Sequence, residues 1–379
     1  MRIESKIPDV GTSIFTVMSK MALDHNAINL SQGFPDFMID DAIIQLVHRY
    51  MREGHNQYAP MPGAPVLRTV IAEVVRTSFN RAVDPDTEIT ITSGATESIF
   101  SVISAFIGRG DEVIMFDPSY DSYDPSVRLN GGIPIHINMT ESFGINWDEV
   151  RGRITKATRM IIINTPHNPS GSILSESDLL ELENIAEQFD LLVLSDEVYE
   201  RLIFDGVAHQ SVLRFPVLAS RSFAVFSFGK TFHATGWKMG YVVAPAQLTA
   251  EIRRAHQFVV FSVNTPIQLA MADYLREPGH YRGLGKFYQQ KRDFFLNEIK
   301  GSSFEPIPSR GSYFQLVSYR TISSEPDVQM AERLTKEFKV ASIPISVFYK
   351  DSTDRNILRF CFAKKEETLA EAGRILRGL

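Results

Sequence analysis

The chain has 379 residues, 44% hydrophobic and 22% charged, with a formal net charge of −6, which excludes wholesale disorder and points to two domains or to one large α/β domain with a smaller companion. Basic residues come in short pairs such as Arg253-Arg254 and Lys364-Lys365, so no electrostatic footprint for nucleic acid is present. One cysteine, Cys361, leaves no intrachain disulfide; the start, Met1 to Lys6, lacks the apolar run of a signal peptide, and no stretch approaches the ~18 apolar residues of a membrane span.

The expectation is a cytoplasmic protein with small-molecule chemistry and neither nucleic-acid nor membrane partners. Taken in order, residues 14–23 read as amphipathic and 29–37 as a loop. Residues 88–92 read as a strand and 95–107 as a helix, followed by strands at 112–116, 133–137 and 160–164. Ser175-x-x-Asp178 is a helix-start box ahead of the periodic run 179–189, and strands follow at 191–194 and 223–226. Residues 247–256 and 266–299 read as helical, the second broken near Pro278-Gly279. The last third turns to strands 313–317 and 357–362 with helices 327–338 and 366–376, a small α+β pattern. Short apolar strands separated by helices predict a mostly parallel sheet covered on both faces, with ligands at the carboxyl ends of the strands.

Four polar clusters fall at such strand ends. Thr92-Ser93-Gly94-Ala95-Thr96-Glu97 has the small residues that let backbone N–H groups face an anion at a helix N-terminus, or it is an ordinary turn capped by Thr96. Asn164-Thr165-Pro166-His167-Asn168-Pro169-Ser170-Gly171 is a stiff loop, able to hold the Asn168 amide in one orientation or to serve as a bare turn. In Ser195-Asp196-Glu197-Val198-Tyr199 an acid ends a buried strand, which is costly without a partner; the alternative is a helix cap. Ser227-Phe228-Gly229-Lys230-Thr231-Phe232, continuing to Gly236-Trp237-Lys238-Met239-Gly240, sets a lysine between two phenylalanines. Lysine is the amine that condenses with aldehydes once desolvation or a nearby cation lowers its pKa, and Lys238 is a second candidate.

Together, and in this order, the clusters resemble the class I, fold-type I, pyridoxal-phosphate-dependent aminotransferases, from about residue 29 to residue 362. Ser227-x-x-Lys230…Gly236-Trp237-Lys238-x-Gly240 carries most of the likeness. SFGKTFHATGWKMGY and FSVNTP draw it toward the subgroup with methionine aminotransferases and kynurenine and glutamine transaminases. The resemblance implies a large domain, 46–285, with a mostly parallel seven-stranded sheet, a small α+β domain, 286–379, and an N-terminal arm, 1–45, that contributes to the small domain. It implies pyridoxal 5'-phosphate as cofactor, an amino acid and a 2-oxo acid as substrates, and a homodimer with shared active sites.

Residue by residue, Lys230 matches the lysine that carries the cofactor, Asp196 the acid on its ring nitrogen, and Tyr199 and Asn168 the donors to its phenolic oxygen. Ala95 and Thr96, with Ser227 and Lys238, match the phosphate cradle, and Tyr58 matches the tyrosine that reaches the neighbouring subunit's phosphate. Tyr120 matches the ring stacked on the cofactor. Arg359 matches the clamp on the substrate carboxylate, which Gly33 also meets, with Asn168 and Tyr120 beside it. Lys238 stands where much of the class has arginine, a point charge in place of a fork. Tyr120 replaces the tryptophan of the aspartate branch.

The chemistry asks for these types. A carboxylate about 4 Å from a ring nitrogen, at an effective dielectric of about 20, holds a positive charge there by about 4 kcal/mol. A freed lysine amine can then shuttle the α-proton, and a planar guanidinium orients the substrate carboxylate. Phe15, Phe34, Tyr120 and Phe261, with no second arginine in evident reach, suggest a hydrophobic, sulfur-containing or aromatic donor: methionine, phenylalanine, tyrosine, glutamine or kynurenine. The alternatives are a carbon–sulfur β-lyase on the same scaffold and a non-catalytic regulator that keeps the cofactor. No metal motif is present.

Overall fold

The computed structural model describes residues 4–379. Of the polar start read at residues 1–6, and of the arm 1–45, residues 1–3 lie outside the described residues. A seven-stranded sheet forms the centre, in the order Ile89–Thr92, Gly240–Val243, Ser222–Ser227, Leu192–Asp196, Thr158–Asn164, Glu112–Asp117, Ile133–Asn138. Gly240–Val243 runs antiparallel to both of its neighbours; the other paired strands are parallel.

Side chains along Thr158–Asn164 alternate between two hydrophobic layers. Met160 and Ile162 join Ile99, Val102, Ile103, Leu194, Val225 and Ile252 on one face. Ile161 and Ile163 join Ile71, Ile91, Ile114, Val193 and Met271 on the other. A period of two with both faces apolar is what a central strand covered by helices on each side requires. Each fully buried aliphatic side chain contributes about 1.5–3 kcal/mol, so a slip of one residue would not expose one face but mismatch both.

Helix starts follow their sequence signals. Ser175 accepts from Asp178 N–H at 3.2 Å while the Asp178 carboxylate accepts from Ser175 N–H at 2.8 Å, a closed capping box on Glu176–Gln188. The long helical stretch after Asn264 is three helices, Thr265–Leu275, Gly279–Arg282 and Leu284–Glu298, interrupted on both sides of the glycine expected to break it.

A second, antiparallel sheet orders Ile343–Pro344, Ile357–Cys361, Phe314–Ser318 and Glu305–Pro306. Ile28–Asn29 pairs in parallel with Val340–Ala341, so the N-terminal segment is stitched to C-terminal elements. Asp41–Arg52 packs instead on Thr265–Leu275. Among the described residues no helix is long and apolar enough to cross a membrane.

Candidate active site

The parallel strands all point their carboxyl ends to one edge, and the antiparallel strand brings its amino end there. Register keeps that edge level: Thr92 and Ser227 both pair with Gly240, and Asn164 with Asp196. The four motif clusters therefore open into one cavity of about 170 Å³. Its lining includes Ala95, Thr96, Tyr120, Asn168, Asp196, Tyr199, Ser227, Lys230 and Lys238.

One end of the cavity is built for an anion. The helix Ala95–Phe106 starts at Gly94, whose φ of 78° is left-handed, with no side-chain cap. Thr96 is thus free of the capping role and lines the cavity, hydrogen-bonded to Tyr120. A Cβ on Gly240 would lie 2.7 Å from the Phe226 carbonyl oxygen and 2.9 Å from Ala95 N, so only glycine lets this strand approach the turn. Lys238 Nζ reaches the same turn, 3.4 Å from where a Gly94 Cβ would stand. Buried Glu97 braces it from behind, accepting from Ser93 N–H at 3.1 Å and meeting His256 Nδ1 at 3.0 Å. Unpaired helix N–H groups, the helix dipole and an ammonium form an anion cradle.

The middle of the cavity holds two charges that burial disfavours. Desolvation raises the Asp196 carboxyl to about 6; a 2.6 Å hydrogen bond from Tyr123 and the nearby Lys230 pull the other way. No helix follows Asp196, so it is not a cap. Its neighbour Glu197 points behind the turn, accepting from Ser195 Oγ at 2.9 Å and Val212 N–H at 3.1 Å and meeting His209 Nε2 at 2.7 Å. Desolvation lowers the Lys230 amine to about 8, with Lys238 and Arg359 adding to the effect. Burial pushes the Tyr199 hydroxyl far up, so it remains a neutral donor.

Behind Asn168 the second sheet brings up a guanidinium. Arg359 is fully buried and donates to Asn168 Oδ1 at 2.7 Å and to the Ser31 carbonyl at 3.0 Å, with its guanidinium 3.9 Å over the Phe314 ring. Desolvation lowers it to about 10, still a cation at neutral pH. Its Nε–H is buried without a partner. A buried cation with an unspent donor is a position for a carboxylate. Asn168 has given its carbonyl to Arg359, which leaves its amide nitrogen to donate to a ligand.

Gly33 is brought in through its carbonyl, which accepts from the Tyr313 hydroxyl. Tyr58 is 81% exposed on the outer surface, its ring 5.4 Å from Phe261. Of the four aromatic residues expected at the substrate, Tyr120 lines the cavity and Phe15 lies 5.1 Å from the Arg359 guanidinium. Phe34 and Phe261 do not line it within one chain: Phe34 packs on Lys364, and Phe261 sits beside Tyr58. Tyr123 and Tyr313 are additions that sequence reading passed over. Tyr123 repeats Tyr120 one helical step on, a readable hint; Tyr313 has no local signal.

A desolvated amine, a buried acid and an anion cradle at one cavity, with an unsatisfied guanidinium behind Asn168, are the groups that a transaminase of the pyridoxal-phosphate type uses. Residues 25–376 match the family Aminotransferase class I and II. The chain belongs to that family, whose class I members depend on pyridoxal phosphate, and it is a transaminase. It is 47% identical to the methionine aminotransferase of Escherichia coli over 99% of this chain and 98% of that one. It is 34% identical to the kynurenine–oxoglutarate transaminase of Dictyostelium discoideum over 96% and 93%. A crystal structure of an Escherichia coli methionine aminotransferase aligns over 100% of both chains, with a TM-score of 0.98 and 47% identity.

Proposed function

We propose that this cavity takes pyridoxal 5'-phosphate and that the enzyme moves the amino group of methionine, or of an aromatic amino acid, glutamine or kynurenine, to a 2-oxo acid. The observation that carries the reading is the meeting of Lys230 and Asp196 at one cavity, with Arg359, its Nε–H unsatisfied, tied to that cavity through the lining residue Asn168. The cradle of Ala95, Thr96, Ser227 and Lys238 would hold the phosphate, Asp196 the ring nitrogen, Tyr199 and Asn168 the phenolic oxygen, and Tyr120 a face of the ring. When bound, the cofactor supplies the electron sink for cleavage at the substrate α-carbon.

The chain's own residues do the rest. Arg359, with Gly33 and Asn168 beside it, holds the substrate carboxylate and so selects which α-bond is presented. Lys230, with its amine lowered to about 8, is deprotonated often enough near neutrality to take the α-proton and return it.

The donor class is supported by the likeness to a methionine aminotransferase and a kynurenine transaminase, by Tyr120 in the cavity lining, and by Phe15 and Phe314 at the Arg359 guanidinium. A panel of amino donors with a 2-oxo acid acceptor, read by product formation, is expected to rank methionine and aromatic donors first. Aspartate as the best donor would overturn that choice.

We further infer a homodimer with shared sites. Tyr58 and Phe261 make an aromatic pair on two loops tied by Ser262 Oγ to the Ala59 carbonyl at 2.9 Å, and Phe258, 85% exposed, stands at the end of the helix Ala246–Val259 that leads into the second loop. Rings so exposed call for a covering surface. The functional units would be an arm and small-domain segment, 1–45, a cofactor-binding domain, 46–285, and a small domain, 286–379. Their hinges would lie in the loops flanking Asp41–Arg52 and Leu284–Glu298, since a helix moves as one piece.

A further inference from the structure

The hydroxyl of Tyr313 is the one hydrogen-bond partner of the Lys230 amine among the described residues, which donates to it at 3.0 Å. That hydroxyl spends its own proton on the Gly33 carbonyl. With its proton so placed, the oxygen serves Lys230 as an acceptor, and it also interacts with the Tyr199 hydroxyl. Tyr313 is fully buried, and burial raises its phenol well above the ordinary value, so it stays neutral. Its ring is locked by edge contacts with Tyr199 at 5.0 Å and Phe314 at 4.9 Å and by a tilted contact with Tyr288 at 5.9 Å.

The same short segment, 31–33, touches both substrate-handling groups. The Ser31 carbonyl accepts from Arg359, and the Gly33 carbonyl accepts from Tyr313. Tyr313 precedes the strand Phe314–Ser318, which pairs with the strand carrying Arg359. The carboxylate clamp and the proton-carrying amine are thus joined through one phenol and one loop.

We propose that Tyr313 is a positioning residue for proton transfer: its hydroxyl holds the freed Lys230 amine by one N–H and ties that amine to the loop beneath the substrate carboxylate. An amine on a four-carbon stem has many rotamers. A fixed acceptor for one N–H limits them and directs the remaining hydrogens and lone pair into the cavity. The proposal rests on Lys230 being the proton carrier.

Two consequences separate this role from packing. A hydroxyl that accepts from the amine favours the ammonium, so its loss lowers the amine's pKa. The largest influences on Lys230 are its desolvation and then the charges of Cys361, Lys238, Asp196 and Arg359, all of which remain in place when one phenol oxygen is removed. Loss of the tether also slows the proton shift more than it weakens substrate binding.

The test is Tyr313→Phe in the full chain, with Tyr288→Phe as a packing control beside it. Cyanate labelling of Lys230 in protein freed of cofactor, followed by peptide mass spectrometry across neutral to alkaline pH, reads the amine's pKa without reference to activity. In the loaded enzyme, exchange of the substrate α-proton with deuterated water and the kcat–KM split read the transfer step. For Tyr313→Phe the labelling curve is expected to move to lower pH and kcat to fall about tenfold, with KM changed far less. Tyr288→Phe should leave the labelling curve in place. An unmoved curve in folded Tyr313→Phe protein overturns the proposal, whatever happens to kcat. If that variant does not fold, 3-fluorotyrosine at position 313, a weaker acceptor, must shift the curve the same way by less; no shift overturns the proposal. Failure of the parent chain to transfer amino groups at all would instead strike the reading of the site.

Discussion

Asp196 is buried and Lys230 half-buried, each against the preference of its own charge, and that has a cost the folded protein carries without its ligand. The Asp196 carboxyl titrates at about 6 when folded against 3.8 when free. Its burial therefore withdraws stability as pH rises through that window, and the loss is complete above it. Lys230 titrates at about 8 against 10.5, so the folded state bears a desolvated ammonium below about 8 and recovers stability as pH rises from there toward 10.5. Asp196→Asn keeps an acceptor for Tyr123 and removes the buried charge. In cofactor-free protein at neutral pH it should gain up to about 3 kcal/mol by urea titration, a figure that already nets the attraction to Lys230. The same change should cut kcat about a hundredfold or more, because a neutral amide cannot hold a positive ring nitrogen. A variant both less stable and fully active would contradict the placement of that charge. Arg359→Lys tests the guanidinium behind Asn168: an ammonium cannot make the two-point contact, and kcat/KM is expected to fall about a hundredfold while the absorbance of bound cofactor is retained.

At the scale of elements, the helix Glu176–Gln188 offers a clean separation of fold from function, since it contributes nothing to the cavity lining. Ser175→Ala opens its capping box and is expected to cost about 1 kcal/mol in denaturant unfolding, with kcat and KM unchanged. That box was readable because both partners lie three residues apart. The strand-end clusters were readable for a related reason: each is a contiguous run, and the parallel sheet gathers such runs at one edge whatever the loops do. Asp41–Arg52 and Pro65–Phe79 were passed over although Asp40 and Pro65 mark their starts, because neither borders a strand end. Gly240–Val243 is a four-residue strand directly behind a dense motif, and its direction depends on pairing with Ile89–Thr92 and Ser222–Ser227. Two-residue strands such as Ile28–Asn29 and Val340–Ala341 carry no periodicity at all; they exist because distant segments meet. Tyr313 belongs with these. It reaches Lys230 across 83 positions of chain, and only the docking of the second sheet on the first brings the two together.

For the whole molecule, the question is whose cavity Tyr58 serves. Within one chain it stands 81% exposed and away from the cavity lining, paired with Phe261. A tyrosine that completes a neighbour's site can be separated from one that merely packs by mixing two defective chains. Lys230→Ala abolishes the amine and Tyr58→Ala removes the phenol, so homodimers of either should be impaired. In a mixed dimer with sharing across the interface, one site combines both defects, while the other draws Lys230 from one chain and Tyr58 from its partner and is whole. Refolding or exchanging the two variants at equal concentration should then restore about a quarter of the parent activity, since half the dimers are mixed and half their sites intact. If Tyr58 acts within its own chain, every mixed site carries one defect and nothing is restored. Phe258→Glu should abolish the rescue by placing a charge where an exposed ring stands, with sedimentation shifting toward the monomer.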